Sequence, residues 1–328
     1  MIVAEMTPLA VRVAALATIA TLAGACAAPP PADPPSTPTL TSVPTGTPGP
    51  TGATEPTGTP GPTGATGPTG ISHVVVVWME NTEAPSITAS SMPYLYGLSQ
   101  TYGRADQYYA VATPSQPNYL AFWSGSTQGV TDDGVHDLSG PSLSSQMTGA
   151  GLSWRILAQD YPAAPGCHAG ETYAGGSDGP GQAGAYARKH DPAISFTSVS
   201  TTAECGNIQP LANFDPGVNL AFVVPNLCND MHDCSAATGD AFLSAFLPQV
   251  LNSPDWAHTL LIVSFDEGTS DANGGGQVFT MVARAGLSGF TSSTRHDHYG
   301  LLRTIEDLFG LPCLEAACSA QPLSEFLP

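Results

Sequence analysis

The sequence predicts a doubly wound α/β domain, a mostly parallel sheet with helices on both faces, and three observations carry that expectation. Two runs, HVVVVWM at 73–79 and TLLIVSF at 259–265, are continuously apolar and rich in β-branched residues. Such runs are the mark of strands buried on both faces of a parallel sheet. Apolar runs then alternate with amphipathic segments, the order of βαβ units. Finally, the 258 residues from Ile71 to Pro328 suffice for one large domain with its own core.

Taken from the amino terminus, residues 1–25 read as an export signal. Arg12 precedes the apolar stretch VAALATIATLAGA at 13–25, which is too short to span a bilayer and ends in small residues. Glu5 is out of place in a positive leader, so a start at Met6 is an alternative to Met1. AGA-Cys26 resembles a lipoprotein cleavage site, with Ala23 where leucine is usual. A lipidated Cys26 on the outer face of the cell membrane is the favoured expectation, and ordinary cleavage with secretion is the alternative. Residues 26–70 are Pro, Thr, Gly and Ala with almost no apolar bulk, and a twelve-residue unit repeats from Pro44 to Gly67. Glycine recurs at every third position from Gly46 to Gly70, broken only at Glu55. This is collagen-like spacing, but an interrupted and short one, so an extended tether is expected rather than a triple helix.

Within 71–328, strands are expected at 73–79, 220–225, 259–265 and 277–283, and helices at 92–102, 117–124, 141–150, 239–252 and 298–309. The last helix aligns Leu301, Leu302, Ile305, Leu308 and Phe309 on one face. The Gly-, Ala- and Pro-rich stretch 163–184 reads as a long surface loop pinned by Cys167. Besides Cys26 there are six cysteines, an even count that in an exported chain implies disulfides. The sequence-local pairing Cys167–Cys205, Cys228–Cys234 and Cys313–Cys318 is preferred, since each pair flanks a loop-like segment. The net charge of −19 comes from 27 acids against eight bases. Such a surface repels nucleic acid and anionic headgroups at long range, and an anionic substrate then needs a local inversion of field that bound cations can supply.

The chemistry-bearing residues sit at element ends. The first long run closes on Glu80-Asn81 and the second on Asp266-Glu267, at the carboxyl ends of strands where open α/β sheets collect ligands. Hard oxygen ligands converging there point to a divalent cation and so to phosphate or sulfate ester chemistry. Ser115 lies between Pro114 and Pro117 in ATPSQPNY, just before a helix expected to begin near Asn118. A helix N-terminus favours an anionic ester oxygen, though a cap or turn role is the ordinary reading of such a serine. Asp230, His232 and Asp233 follow another buried run, either as cation ligands or as a disulfide-pinned turn. Lys189 and His190 offer a cation and an imidazole for a phosphate, or else a surface ion pair, and His296, Asp297 and His298 precede the last helix as caps or ligands.

Their order along the chain resembles the alkaline phosphatase superfamily. Closer still, HVVVVWMEN, SQPNYLAFWSG, YARKHDP, PNLCNDMHDCS, SFDEG and HYGLLRTIEDLFGL resemble the bacterial phosphoesterase family of acid phosphatases and phospholipases C, over 72–312. The resemblance implies metal-assisted phosphoryl transfer with Ser115 as the nucleophile that becomes phosphorylated and also a metal ligand. It places Glu80, Asn81, Asp266 and Glu267 around the first metal. Asp230, His232 and His298 then serve a second cation or the phosphate, and His190 lies near the leaving group or the phosphate. Asn118 would steady a nonbridging oxygen, and Lys189, on the reading of the residues given above, would hold the phosphate. Glu267 stands where many superfamily members carry histidine, which leaves the metal (Ca, Mg, Mn or Zn) and the number of ions open. ENTEAPSI lacks the Arg-Ser-Phe-Asp run of phospholipases C after their Glu-Asn, which favours phosphomonoesters. The expected partner is a small phosphate ester, with no nucleic acid, a membrane met only through the anchor, and a monomeric catalytic domain. A surface adhesin on a collagen-like stalk is the competing reading of another class.

Overall fold

A computed structural model describes residues 69–162, 167–168, 173–174 and 185–328. The expected signal, Cys26, the tether up to residue 68 and most of 163–184 lie outside the described residues. In chain order the elements are β1 (His73–Met79), α1 (Pro93–Thr101), β2 (Gly103–Tyr109), α2 (Ser115–Ser124), α3 (Leu143–Gly149) and β3 (Trp154–Ala158). A two-strand ribbon, β4 (Tyr173–Ala174) with β5 (Tyr186–Ala187), is followed by α4 (Thr197–Ser200), β6 (Ile208–Pro210) and β7 (Leu220–Val224). The chain ends with α5 (Ala236–Phe246), α6 (Pro248–Leu251), β8 (Thr259–Phe265), β9 (Thr280–Ala283), β10 (Phe290–Asp297) and α7 (His298–Phe309).

Eight strands form one sheet in the order β10-β2-β9-β8-β1-β7-β3-β6. Only β9 runs against the others, pairing antiparallel with both β2 and β8. The centre follows directly from the sequence: all seven residues of β8 are buried, as are Val74–Met79 of β1. Strands with no solvated face need cover on both sides, and two helix groups, α1 with α5 and α2 with α3 and α7, supply it. From β1 the chain crosses to β2 on one side of the sheet, while β7, β3 and β6 lie on the other. The carboxyl end of β1 is therefore a place where loops diverge and leave a crevice.

The expected strands at 73–79 and 259–265 form as read, 220–225 is one residue shorter, and the run at 277–283 becomes a strand only from Thr280. Strands β2, β3, β6 and β10 were not expected. β10 (FTSSTRHD) lies at the sheet edge with most side chains outside the core, and β2 (GRADQYY) buries only three of seven residues, so neither shows an apolar run. The helix expected at 239–252 is two, α5 and α6, divided just before Pro248, whose ring and missing N–H interrupt a continuing helix. The helix expected from 117 begins at Ser115 itself.

α2 is buried at every position from Ser115 to Ser124 and packs on α7. It stops at Gly125, which is left-handed at φ 72° and so close to the next layer that a Cβ would lie 2.2 Å from the Leu314 carbonyl oxygen. Only glycine fits there. Asp240 on α5 accepts the backbone N–H groups of Tyr94 and Leu95 at 3.0 and 2.9 Å, capping α1 from its neighbour. The three disulfides join the expected partners, with Cα–Cα distances of 5.6, 4.7 and 5.0 Å. No described helix is long and apolar enough to cross a membrane.

Glu306, buried on α7, accepts the Leu314 N–H at 2.7 Å with one oxygen and leaves the other without a partner. Burial raises its pKa from 4.5 to about 7. A carboxyl raised in the folded state stabilises the protein most below its unfolded pKa, and that contribution is lost as the pH climbs through the folded value. Glu306→Gln is therefore expected to melt above the wild type at pH 8 and close to it at pH 4.5. Thermal melts showing the same offset at both pH values would contradict this.

Candidate active site

Backbone bonds draw three strand ends together beyond the carboxyl edge of the sheet. Asp266 N–H donates to the Met79 carbonyl at 3.0 Å, Glu80 N–H to Asp230 O at 2.8 Å, and Thr82 N–H to Glu267 O at 3.0 Å. The residue after β1, the pair after β8 and the loop after β7 thus deliver Glu80, Asp266, Glu267 and Asp230 to one point, all of them buried. The last of these loops is a tight one. The Cys228–Cys234 bridge closes it, Met231 adopts a left-handed φ of 85°, and the His232 N–H caps Asp230 Oδ1 at 2.7 Å.

Ser115 is the first residue of α2, and its Oγ donates towards Glu80 Oε2 at 3.1 Å and Glu267 Oε1 at 3.3 Å. Because α2 starts at this hydroxyl, the positive end of the helix faces the same place. Asn81, left-handed at φ 48°, donates its backbone N–H to Asp266 Oδ1 at 3.0 Å and its amide to Glu80 Oε2 at 3.1 Å. His190 lies between two carboxylates, with Nε2 3.1 Å from Glu80 Oε1 and Nδ1 3.3 Å from Asp230 Oδ2. Lys189 Nζ lies 2.9 Å from Asp133 Oδ2 and 3.3 Å from His232 Nε2, while His232 Nδ1 contacts Asp233 at 2.7 Å.

The electrostatics of this cluster are those of carboxylates crowded away from water. Burial, then the charges of Asp266 and Asp230, hold the Glu80 pKa well above its usual range. Burial raises Asp230 and Asp266 as well, and burial followed by the Asp266 charge takes Glu267 to about 8. Burial, then Lys189 and His232, hold His190 far below 6.5, as a neutral imidazole. Asp230 Oδ2, Asp266 Oδ2 and Glu267 Oε2 are buried without a hydrogen-bond partner. Native proteins rarely leave such atoms unpaired. Glu80, His190 and Asp230 offer ligand atoms within 4.8 Å of one another. Neutral imidazole and carboxylate oxygens with unpaired lone pairs are the donor set of a divalent cation, so these residues fit one.

Two expected site residues are engaged elsewhere. Asn118 uses Oδ1 to accept the Val111 and Ala112 N–H groups, both at 3.0 Å, and Nδ2 to donate to the Ala112 and Pro114 carbonyls. With both lone pairs and both amide hydrogens bound to the turn, it fixes the approach to Ser115 instead of reaching a nonbridging oxygen. His298 is fully buried, with Nε2 2.6 Å from the Asp266 carbonyl and Nδ1 3.2 Å from the Tyr108 hydroxyl. Both ring nitrogens are occupied, and burial lowers its pKa to about 4, so it braces the Asp266 backbone as a neutral ring. His296 faces Glu325 and the Gln321 carbonyl instead of the carboxylate cluster.

Two residues not anticipated belong to the site. Tyr119 donates its hydroxyl to Glu80 Oε1 and stacks on His190, with ring centroids 5.1 Å apart and planes 10° from parallel. It lies one helical turn beyond Ser115, a spacing that puts both on one face of α2. Asp133, from the exposed loop after α2, accepts the Gln116 N–H at 3.0 Å with Oδ1, and no sequence pattern marks it.

Comparison with known proteins agrees with this arrangement. Residues 78–312 match the Phosphoesterase family. The chain is 34% identical over 259 residues to a phosphatidylinositol-3-phosphatase of Mycobacterium tuberculosis, covering 77% of this chain and 82% of that protein. It is 27% identical over 254 residues to a phosphate-repressible acid phosphatase of Penicillium chrysogenum, covering 73% of this chain and 59% of the fungal one. A phosphonate monoester hydrolase of Agrobacterium radiobacter shares the fold, with a TM-score of 0.51 at 11% identity over 78% of this chain and 77% of that chain. The chain belongs to the Phosphoesterase family, hydrolases that act on phosphoric ester bonds.

Proposed function

We propose that the protein is an exported, metal-dependent phosphomonoesterase that works through a phosphoserine at Ser115. The observation that carries this reading is the position of Ser115 Oγ, at the N-terminus of α2 and in contact with Glu80 and Glu267 inside a cluster of buried carboxylates. A divalent cation held by Glu80, Asp230, Asp266, Glu267 and His190 would lower the serine pKa and offset charge on the transferring group. Ser115 Oγ attacks phosphorus in line with the departing alkoxide, and its proton passes to a neighbouring carboxylate. Glu267 is placed for that role, with Oε1 3.3 Å from the hydroxyl. Lys189, at the rim beside His232, takes a nonbridging oxygen. Water then cleaves the phosphoserine and regenerates the hydroxyl. Asn81 and Tyr119 hold Glu80 in place throughout.

Phosphomonoesters are favoured over diesters because the relatives described above are named for monoester substrates or as acid phosphatases and because the phospholipase-type run after Glu80-Asn81 is missing. A phospholipase C-type diesterase is the second reading. Three disulfides fit an oxidising compartment, in keeping with export, a lipidated Cys26 and a tethered monomeric catalytic domain. The test is turnover of p-nitrophenyl phosphate, bis-p-nitrophenyl phosphate and phosphatidylcholine by the purified protein. Chelation should abolish monoester turnover and one of Ca, Mg, Mn or Zn should restore it. Turnover untouched by exhaustive chelation, or a preference for either diester, would overturn the proposal.

A further inference from the structure

Asp133 contacts two groups that could receive a phosphoryl oxygen at the mouth of the site. Its Oδ1 accepts the Gln116 N–H at 3.0 Å and its Oδ2 meets Lys189 Nζ at 2.9 Å. The first donor belongs to the residue after the nucleophile, in the opening turn of α2. The second is the sole lysine of the chain, about nine-tenths buried. We propose that Asp133 is an internal stand-in for the substrate phosphoryl group, and that an incoming phosphate ester must displace it from Gln116 N–H and Lys189. This rests on the reading that Ser115 and Lys189 serve the phosphoryl group.

The physics gives both a reason for the contact and a way to release it. Asp133 sets a carboxylate against a largely buried ammonium and the positive end of a helix, two groups that each favour an anion. A carboxylate presents two oxygens to two separate donors, as two nonbridging oxygens of a phosphate would. The Asp133 side chain is itself one-third exposed, so it can return to water. The base of its loop is fixed. Leu138 N–H bonds to the Ser195 carbonyl at 2.7 Å, Thr197 N–H returns to Leu138 at 2.8 Å, and Arg188 donates to the His136 carbonyl. The segment carrying Lys189 therefore anchors the loop that carries Asp133, while residues 131, 132, 134 and 135 at its tip stay exposed.

The experiment measures competitive inhibition by inorganic phosphate, together with KM and kcat for p-nitrophenyl phosphate, on the full chain loaded with whichever divalent cation restores turnover. Asp133→Asn is expected to lower Ki and KM about ten-fold, the order expected for one charge-assisted contact, with kcat within a few-fold of wild type. Asp132→Asn is the control. It removes the same charge from the adjacent, exposed carboxylate that pairs with His136, and is expected to change both constants less than about two-fold. A higher Ki in Asp133→Asn would make Asp133 an orienting partner of Lys189 and overturn the inference, and so would equal gains in the two variants. Ser115→Ala, assayed beside them, separates the layers. Full turnover there takes down the proposed reaction, whereas an unchanged Ki in Asp133→Asn with an inactive Ser115→Ala takes down only the role of Asp133.

Discussion

Replacing Ser115 with alanine is expected to cut p-nitrophenyl phosphate turnover by on the order of 10³-fold or more while the protein stays folded. The change removes one hydroxyl, at the first position of α2, where alanine is accepted by the helix backbone. The single hydroxyl proton is shared between Glu80 Oε2 and Glu267 Oε1, so one donated bond is lost. Glu80 keeps the amide of Asn81 and the hydroxyl of Tyr119, so the stability cost is held to about 1 kcal/mol. Asn118 and His298 cannot stand in for it, because they are bound to backbone and to Tyr108. Steady-state rates and a thermal melt on the same preparation check both halves. Wild-type rates in Ser115→Ala would remove the nucleophile from the account.

The second large effect separates activity from stability. Asp266→Asn is expected to lose on the order of 10²-fold or more of the turnover and yet to melt higher than the wild type in the presence of chelator. Asp266 sits beside Glu80, Asp230 and Glu267 and leaves Oδ2 unpaired. The amide oxygen can still accept the Asn81 N–H, and the amide nitrogen puts a donor among acceptors, so a like charge is removed without opening a cavity. The sign with pH follows from linkage. Burial raises the Asp266 carboxyl above its ordinary 3.8, so in the metal-free protein its stabilising contribution is present below that value and is lost as the pH rises. The advantage of the variant should therefore grow from pH 4 to pH 8. A divalent cation should raise the melting point of the wild type and reverse the ranking. Melts in which Asp266→Asn is the less stable form at pH 8 under chelation would contradict the idea of a site strained by its own carboxylates.

The centre of the fold was legible because β1 and β8 are apolar at almost every position, which only a doubly covered parallel strand explains. The outer strands were not, because β2 and β10 carry Arg104, Asp106, Arg295 and similar groups into positions that face solvent on one side. In the site, Glu80 and Asp266 are legible as acids immediately following apolar runs, Asp230 as an acid in the short loop after another, and Ser115 as a hydroxyl in a proline-bracketed turn. His298 shows the limit of such reading. A histidine at a strand–helix junction looks the same in sequence whether its nitrogens meet a ligand or, as here, a carbonyl and a phenol. Asn118 poses the same ambiguity, since an amide near a nucleophile serves the turn as readily as the substrate, and here it bonds the turn. Tyr119 was within reach through its one-turn spacing from Ser115. Asp133 was not, because its partnership with Lys189 spans 56 positions and depends on how the loop after α2 settles on residues 188–197.

The most direct test of the central claim is to trap the intermediate. The metal-loaded protein is mixed with p-nitrophenyl phosphate at low pH, quenched in acid within the first turnovers, digested, and its peptides are weighed. The account predicts one phosphate on the peptide that contains Ser115, gained with substrate and lost on chase, and absent from Ser115→Ala. Phosphate on His190 or His232, or active turnover with no phosphopeptide at any quench time, would contradict it.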